Sequence, residues 1–134
     1  GIERDDNYVR VANFRRDEAE MRTAELLSLD LPPTAIFACN NVMAAGALSA
    51  IRRNGRRVPD DISLISFDDS EWAALMNPSL TVVAQGIDEL GQRAADLLLR
   101  RISRGPVRNP RRMMVTPKLI VRDSCALPAA GGSA

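Results

Sequence analysis

The sequence predicts an α/β fold in which a parallel sheet is flanked by helices. Three observations predict it. Strand-like and helix-like segments alternate along the chain, two of the strand-like segments are continuously apolar, and Pro or Gly marks most of the joints. Continuous apolar runs suit parallel strands covered on both faces, so helices are expected on both sides of the sheet. No internal repeat breaks the alternation.

Tyr8-Val9-Arg10-Val11-Ala12 alternates as a strand does. Asp17 to Leu29 then reads as a helix with a loose stripe of Met21, Ala24, Leu26 and Leu27, and Pro32-Pro33 ends it. Ala35 to Cys39 is the first continuously apolar strand, which would bury Cys39 as a core thiol. Asn40-Asn41 follows, with Asn41 the expected N-cap of a helix over Val42 to Asn54 and Gly55 its stop. A turn through Val58-Pro59-Asp60-Asp61 leads to the second buried strand, Ile62 to Phe67.

That strand ends at Asp68-Asp69-Ser70, before a short helix over Glu71 to Met76. Asn77-Pro78 breaks the chain ahead of a third strand, Leu80 to Ala84. Ile87, Leu90, Ala94, Leu97, Leu98 and Ile102 recur with a helical period, and Asp88 is the expected cap. Met113 to Thr116 and Leu119 to Arg122 read as two short strands hinged at Pro117. The small residues of Ala126 to Ala134 predict a disordered tail.

Composition narrows the function. The 134 residues fit one domain, and 17 acids nearly balance 18 bases, so the net charge of +1 argues against a nucleic-acid grip in this segment. The arginines come in scattered pairs such as Arg52-Arg53, Arg56-Arg57 and Arg100-Arg101, as on solvated faces. The sequence has no His, which removes the usual general base and the commonest metal ligand. Cys39 and Cys125 have neither disulfide nor metal spacing, and there is no Gly-rich phosphate loop. Neither an enzyme nor a cofactor is therefore expected. No apolar stretch approaches a membrane span and no signal peptide is visible, so the expectation is a cytoplasmic protein. The opening Gly1-Ile2-Glu3 lacks an initiator Met and reads as part of something longer.

In open parallel sheets, ligands bind outside the carboxyl ends of the strands. Asn40, Asp68 and Gln85 stand at three such ends, where amide and carboxylate groups suit hydroxyls or ring nitrogens. Each also has an ordinary alternative: Asn40 as a turn or cap residue, and Asp68-Asp69 as the capping turn before Glu71. Paired catalytic carboxylates are a poor reading of Asp68 and Asp69, since neighbours in an extended segment point to opposite faces.

Four segments together carry a resemblance. Ala35 to Leu48 (AIFACNNVMAAGAL), Arg57 to Asp69 (RVPDDISLISFDD), Pro78 to Gln85 (PSLTVVAQ) and Leu119 to Cys125 (LIVRDSC) resemble, in order and spacing, the lactose and galactose repressor family. The resemblance spans about Tyr8 to Cys125. It implies residues 1–125 as the C-terminal part of a two-lobed, periplasmic-binding-protein-like effector core, with 126–134 a flexible tail. A stretch over 86–112 would cross to an N-terminal lobe outside this sequence, so its Leu90, Leu97 and Leu98 would lack a partner here and drive self-association. The implied ligand is a small effector, a sugar or purine-like molecule, at Asn40, Asp68 and Gln85. Phe14 and Phe37 would flank it, or else serve as packing. The implied partner is a second copy, through Ala45, Leu48, Ser49, Leu75 and Met76. Operator DNA would be reached only through a helix-turn-helix headpiece outside this segment.

The sequence departs from the family at four positions. Asn41 replaces an Asp, Ser66 a Gly, and Gly86 a Pro, while Arg15 stands where a Thr or Ser cap is common. The change at Arg15 opens the reading of an anionic effector. The alternative to a transcription regulator is a periplasmic sugar-binding protein of a transporter, which shares the fold. A headpiece or a secretory signal upstream would separate the two.

Overall fold

A computed structural model describes residues 3–105 and 112–128. The helices are α1 (Arg16–Leu27), α2 (Asn41–Arg53), α3 (Glu71–Leu75) and α4 (Ile87–Arg104). They alternate with β1 (Ala35–Ala38), β2 (Ser63–Phe67), β3 (Thr81–Ala84) and β4 (Lys118–Ile120). The strands form one sheet in the order β1-β2-β3-β4. The first three are parallel and β4 runs antiparallel to β3. The expected fold class, a mainly parallel sheet flanked by helices, is the one found.

Register explains the core. Ile36 aligns with Leu64, and Ala38 with Ser66, Val82 and Ile120, so these residues share one face of the sheet. Ala44, Ala47 and Ile51 of α2 and Ala73 of α3 join that face in one buried cluster with Ile62 and Leu80. The opposite face carries Phe37, Ile65, Phe67 and Val83, which are exposed or half-buried. Coverage is therefore uneven, in contrast to the two covered faces that the apolar runs suggest. β1 is also an edge strand, so Cys39 just beyond it is exposed, correcting the expectation of a buried thiol.

The helix ends follow local chemistry. Asn40, not Asn41, caps α2: its side-chain oxygen accepts the Met43 N–H at 2.7 Å. At the other end Gly55 is left-handed (φ 70°), its N–H bonds to Arg52 O at 3.0 Å, and the Arg56 N–H reaches Ile51 O at 3.1 Å. These paired bonds satisfy carbonyls that the helix itself leaves open. α1 packs along α2 at Gly46, where an added Cβ would overlap the Arg16 carbonyl oxygen and lie 3.0 Å from the Ala19 Cβ. In α1 the inward residues are Ala19, Thr23, Leu26 and Leu27, and Met21 faces solvent, so the stripe is rotated from the expected one.

Four further expectations are corrected. Tyr8–Ala12 is not a strand: Asp6–Tyr8 is a 3-10 turn whose Asp5 cap holds the Asn7 N–H. The extended residues after it have no strand partner among the described residues, because β1 bonds only to β2. Asp88 does not cap α4, which begins after Gly86 with no side-chain cap bond; Asp88 is in its first turn instead. Residues 112–117 form no strand, and Lys118–Ile120 alone pairs with the sheet. Of the expected flexible tail, Ala126 is tied down by its N–H to Ser63 Oγ at 3.1 Å, and residues 129–134 lie outside the described residues.

Candidate functional site

The carboxyl ends of β1, β2 and β3 place Asn40, Asp68 and Gln85 at one end of the sheet. The structure brings two of the three into direct contact. Gln85 Nε2 donates to Asp68 Oδ1 at 2.5 Å. Asn40 uses one acceptor site of its side-chain oxygen on the cap of α2, and its Nδ2 group remains as a donor toward a ligand.

Asp68 sits in strained backbone. Its φ is 73°, a left-handed conformation that costs an ordinary L-residue about 1–2 kcal/mol. Asp tolerates the region better than most residues, and the surroundings hold it there. Its N–H bonds to Val83 O at 3.0 Å and its carboxylate to Gln85. Among the described residues, the other non-Gly residues at positive φ are Asn13 (46°) and Phe14 (58°). They form the centre of a turn closed by Arg15 N–H to Ala12 O at 2.8 Å, with Asn13 Nδ2 bonded to Glu18 Oε2 at 2.7 Å. A bulky Phe in this region is unusual, and the turn presents its ring to solvent at 70 % exposure. Strain of this kind concentrates where a side chain must be presented.

Phe37 is also exposed, on the open face of β1. It borders a cleft of about 240 Å³ between Tyr8, Arg10, Ala12, α1 and the β1 edge. That cleft takes in none of Asn40, Asp68 and Gln85, so Phe37 is not brought to the Asp68–Gln85 pair by it.

Arg15 is occupied from within. Its guanidinium bonds both oxygens of Asp17, at 3.1 and 2.9 Å, and lies 3.4 Å from Glu18. The Asp17 hydrogen bond and charge raise its pKa further, and the same pairing lowers that of Asp17. A cation so compensated is poorly placed to recruit an anionic effector.

Asp69 does not share the partner of Asp68: the Asp68 carboxylate meets Gln85, whereas that of Asp69 meets Arg122. Its two oxygens meet Arg122 Nη1 at 3.0 Å and Nη2 at 2.8 Å. That pairing raises the pKa of Arg122 against the opposing effect of burial. Sequence reasoning missed Arg122. The available signal was the divergence of Asp68 and Asp69, which demands a separate partner for the second carboxylate. Ser124 was missed too: fully buried, it donates to Leu64 O at 2.6 Å and accepts the Thr81 N–H at 2.8 Å, joining β2 to β3.

Of the residues expected at a dimer contact, Ala45, Leu48 and Ser49 line a surface groove of about 320 Å³ with Arg52 and Trp72. Leu75 is 83 % exposed, whereas Met76 packs against the core cluster. Among the described residues no group of three His, Cys, Asp or Glu could hold a metal, and no helix is long and apolar enough to cross a membrane.

Comparison with known proteins extends this picture. Residues 2–125 match the model of the periplasmic binding protein-like domain. The chain is 43% identical over 101 residues to the HTH-type transcriptional repressor PurR of Haemophilus influenzae (strain PittEE), covering 74% of this chain and 30% of that protein. It is 37% identical over 128 residues to the HTH-type transcriptional repressor CytR of Escherichia coli (strain K12), covering 96% of this chain and 38% of that one. Its fold matches the structure of the transcriptional regulator CelR–cellobiose complex with a TM-score of 0.84 and 34% identity, over 92% of this chain and 37% of that one. The chain thus spans about a third of the length of the curated relatives it matches. Family match, relatives and fold agree: the chain belongs to the periplasmic binding protein-like domain family, in the branch of the lactose and galactose repressors.

Proposed function

We propose that the chain is the effector-reading and dimer-forming C-terminal part of a transcription regulator. The observation that carries this reading is the Asp68–Gln85 pair, held by strained backbone at the carboxyl ends of β2 and β3. An ionised carboxylate only accepts hydrogen bonds, so Gln85 must turn its NH₂ toward Asp68. That leaves Asp68 Oδ2 and Gln85 Oε1 as acceptors, with Asn40 Nδ2 as a donor nearby in the register. Hydroxyl groups both donate and accept, so a small polyhydroxylated molecule of the sugar class suits the set best. CelR, a protein of this fold, was solved with cellobiose.

Phe14 supplies an exposed aromatic face for such a ligand, and Phe37 a second on the neighbouring strand. In this reading α4 begins the crossover of 86–112 toward a second lobe, of which 106–111 lie outside the described residues, and closure of the two lobes on the effector changes the geometry of a DNA-binding headpiece outside this segment. Ala45, Leu48, Ser49, Leu75 and Met76 form the contact with a second copy. The reading implies no catalysis, no cofactor and a cytoplasmic location. A transporter's sugar-binding component shares the fold, but the relatives matched are repressors.

The test is a melting-temperature screen of the complete protein against sugars, polyols, nucleosides and purines. A compound at a hundred times its dissociation constant stabilises by about 2.7 kcal/mol. The expected result is a shift with a sugar that disappears in both Asp68→Ala and Gln85→Ala. A shift that survives both substitutions moves the site elsewhere and refutes the assignment.

A further inference from the structure

We infer that Arg122 is the positioning residue of this site, acting through Asp69 to fix the backbone and carboxylate of Asp68. The inference rests on the reading of Asp68 as a ligand group, and it begins from how the Asp68-Asp69 dipeptide is suspended. On one side the chain leaves the sheet: Gln85, the residue after β3, bonds the Asp68 carboxylate and leads into α4. On the other side the chain returns: β4 ends at Ile120, and Arg122 bonds both oxygens of Asp69. The two carboxylates are therefore held apart by the outgoing and incoming connections of the same sheet.

Arg122 is itself fixed. Nη1 also donates to Leu80 O at 2.8 Å, and the backbone N–H of Arg122 donates to Thr81 Oγ1 at 2.9 Å. Its side chain is only 16% exposed. A planar guanidinium gripping both carboxylate oxygens fixes orientation as well as distance, which an ammonium cannot do. With Asp69 anchored to the start of β3 and the Asp68 N–H anchored to Val83 O, the peptide between the two acids has little freedom left. That constraint holds Asp68 left-handed and aims its carboxylate at Gln85.

The test needs no ligand. In the complete chain, Arg122→Lys keeps the charge and removes the two-pronged grip. The amide of Asp68 should exchange with solvent about tenfold faster, the scale of one lost charge-assisted hydrogen bond. The Gln85 side-chain amide resonances should move toward those of a free glutamine. The amide of Val82 within the sheet should hold its protection. Asp69→Asn, which keeps the size of the side chain, should give the same pattern and covers the case in which Arg122→Lys does not fold. Unchanged Asp68 and Gln85 signals would overturn the inference. So would loss of protection at Val82 in step with Asp68, since Arg122 would then hold only the sheet. Failure of the effector reading shows separately, as a compound-induced melting shift that survives Asp68→Ala.

Discussion

Helices α2 and α4 are both amphipathic, yet the fold treats them in opposite ways. α2 buries Ala44, Gly46, Ala47, Ala50 and Ile51 against the sheet and α1, and is capped at both ends. α4 is longer, with a clean helical period of apolar residues, yet Ile87, Leu98, Leu99 and Ile102 are each at least 60 % exposed and no side chain caps its start. Periodicity tells which face of a helix is apolar. It does not tell which piece of protein covers that face. For α2 the cover lies within the described residues, and for α4 it does not.

Truncation should expose the contrast most strongly. Ile51→Ala on α2 removes a fully buried side chain and should cost about 2–5 kcal/mol in urea denaturation. Leu98→Glu on α4 should cost this chain less than about 0.5 kcal/mol, as an exposed position does. If the uncovered stripe drives self-association of this chain, as the sequence analysis expects, the same change should also shift its sedimentation toward the monomer. A large stability loss from Leu98→Glu in dilute, monomeric chain would mean that α4 already has an internal partner.

The two mid-helix glycines sharpen the point. Alanine favours a helix over glycine by about 1 kcal/mol when nothing else changes. Around Gly91 there is open space, so Gly91→Ala should stabilise the chain by about 0.5–1 kcal/mol. At Gly46 the new methyl would meet the backbone of α1, and overpacking of about 1–3 kcal/mol should outweigh the propensity gain. Thermal melts of the two variants should therefore move in opposite directions. If Gly46→Ala also stabilises, α1 does not approach α2 as closely as Arg16 and Ala19 indicate.

Much of this was legible in the sequence because it depends on neighbours along the chain. The apolar runs, the turn at Gly55 and the strand ends at Asp68 and Gln85 are local signals, and the structure joins Asp68 to Gln85 as a shared strand-end location suggests. What was not legible depends on partners distant in sequence. Arg122 and Asp69 meet across 53 residues, and no local pattern at Leu119 to Arg122 announces it. Tyr8 to Ala12 alternates correctly for a strand, but alternation cannot supply a neighbouring edge. Cys39 extends an apolar run, yet β1 lies at the border of the sheet and leaves it exposed. The Asn40-Asn41 cap was missed by one residue because both side chains can accept the same bond, and only the backbone geometry chooses between them.

The smallest effect lies in the turn that carries the chain from α2 to β2. Asp61 Oδ2 accepts the Arg57 N–H at 2.7 Å, and the Asp61 N–H returns a bond to Arg57 O at 2.9 Å. The backbone hydrogen bond from Arg57, with its charge alongside, lowers the Asp61 pKa against the opposing effect of desolvation. A carboxyl whose pKa is lowered by folding stabilises the native state above its unfolded value of about 3.9. That contribution is lost as pH falls through the lower folded value. Asn in its place still offers an oxygen to the Arg57 N–H, so Asp61→Asn removes only the charged part of the interaction. The variant should melt slightly below the native chain at pH 7. The gap should narrow below pH of about 4, where the unfolded carboxyl takes up its proton, and close once the folded carboxyl is protonated as well. A gap that stays constant from pH 7 down into acid would show that the Asp61 charge contributes nothing to this turn, leaving its hydrogen-bond geometry as the whole of its role.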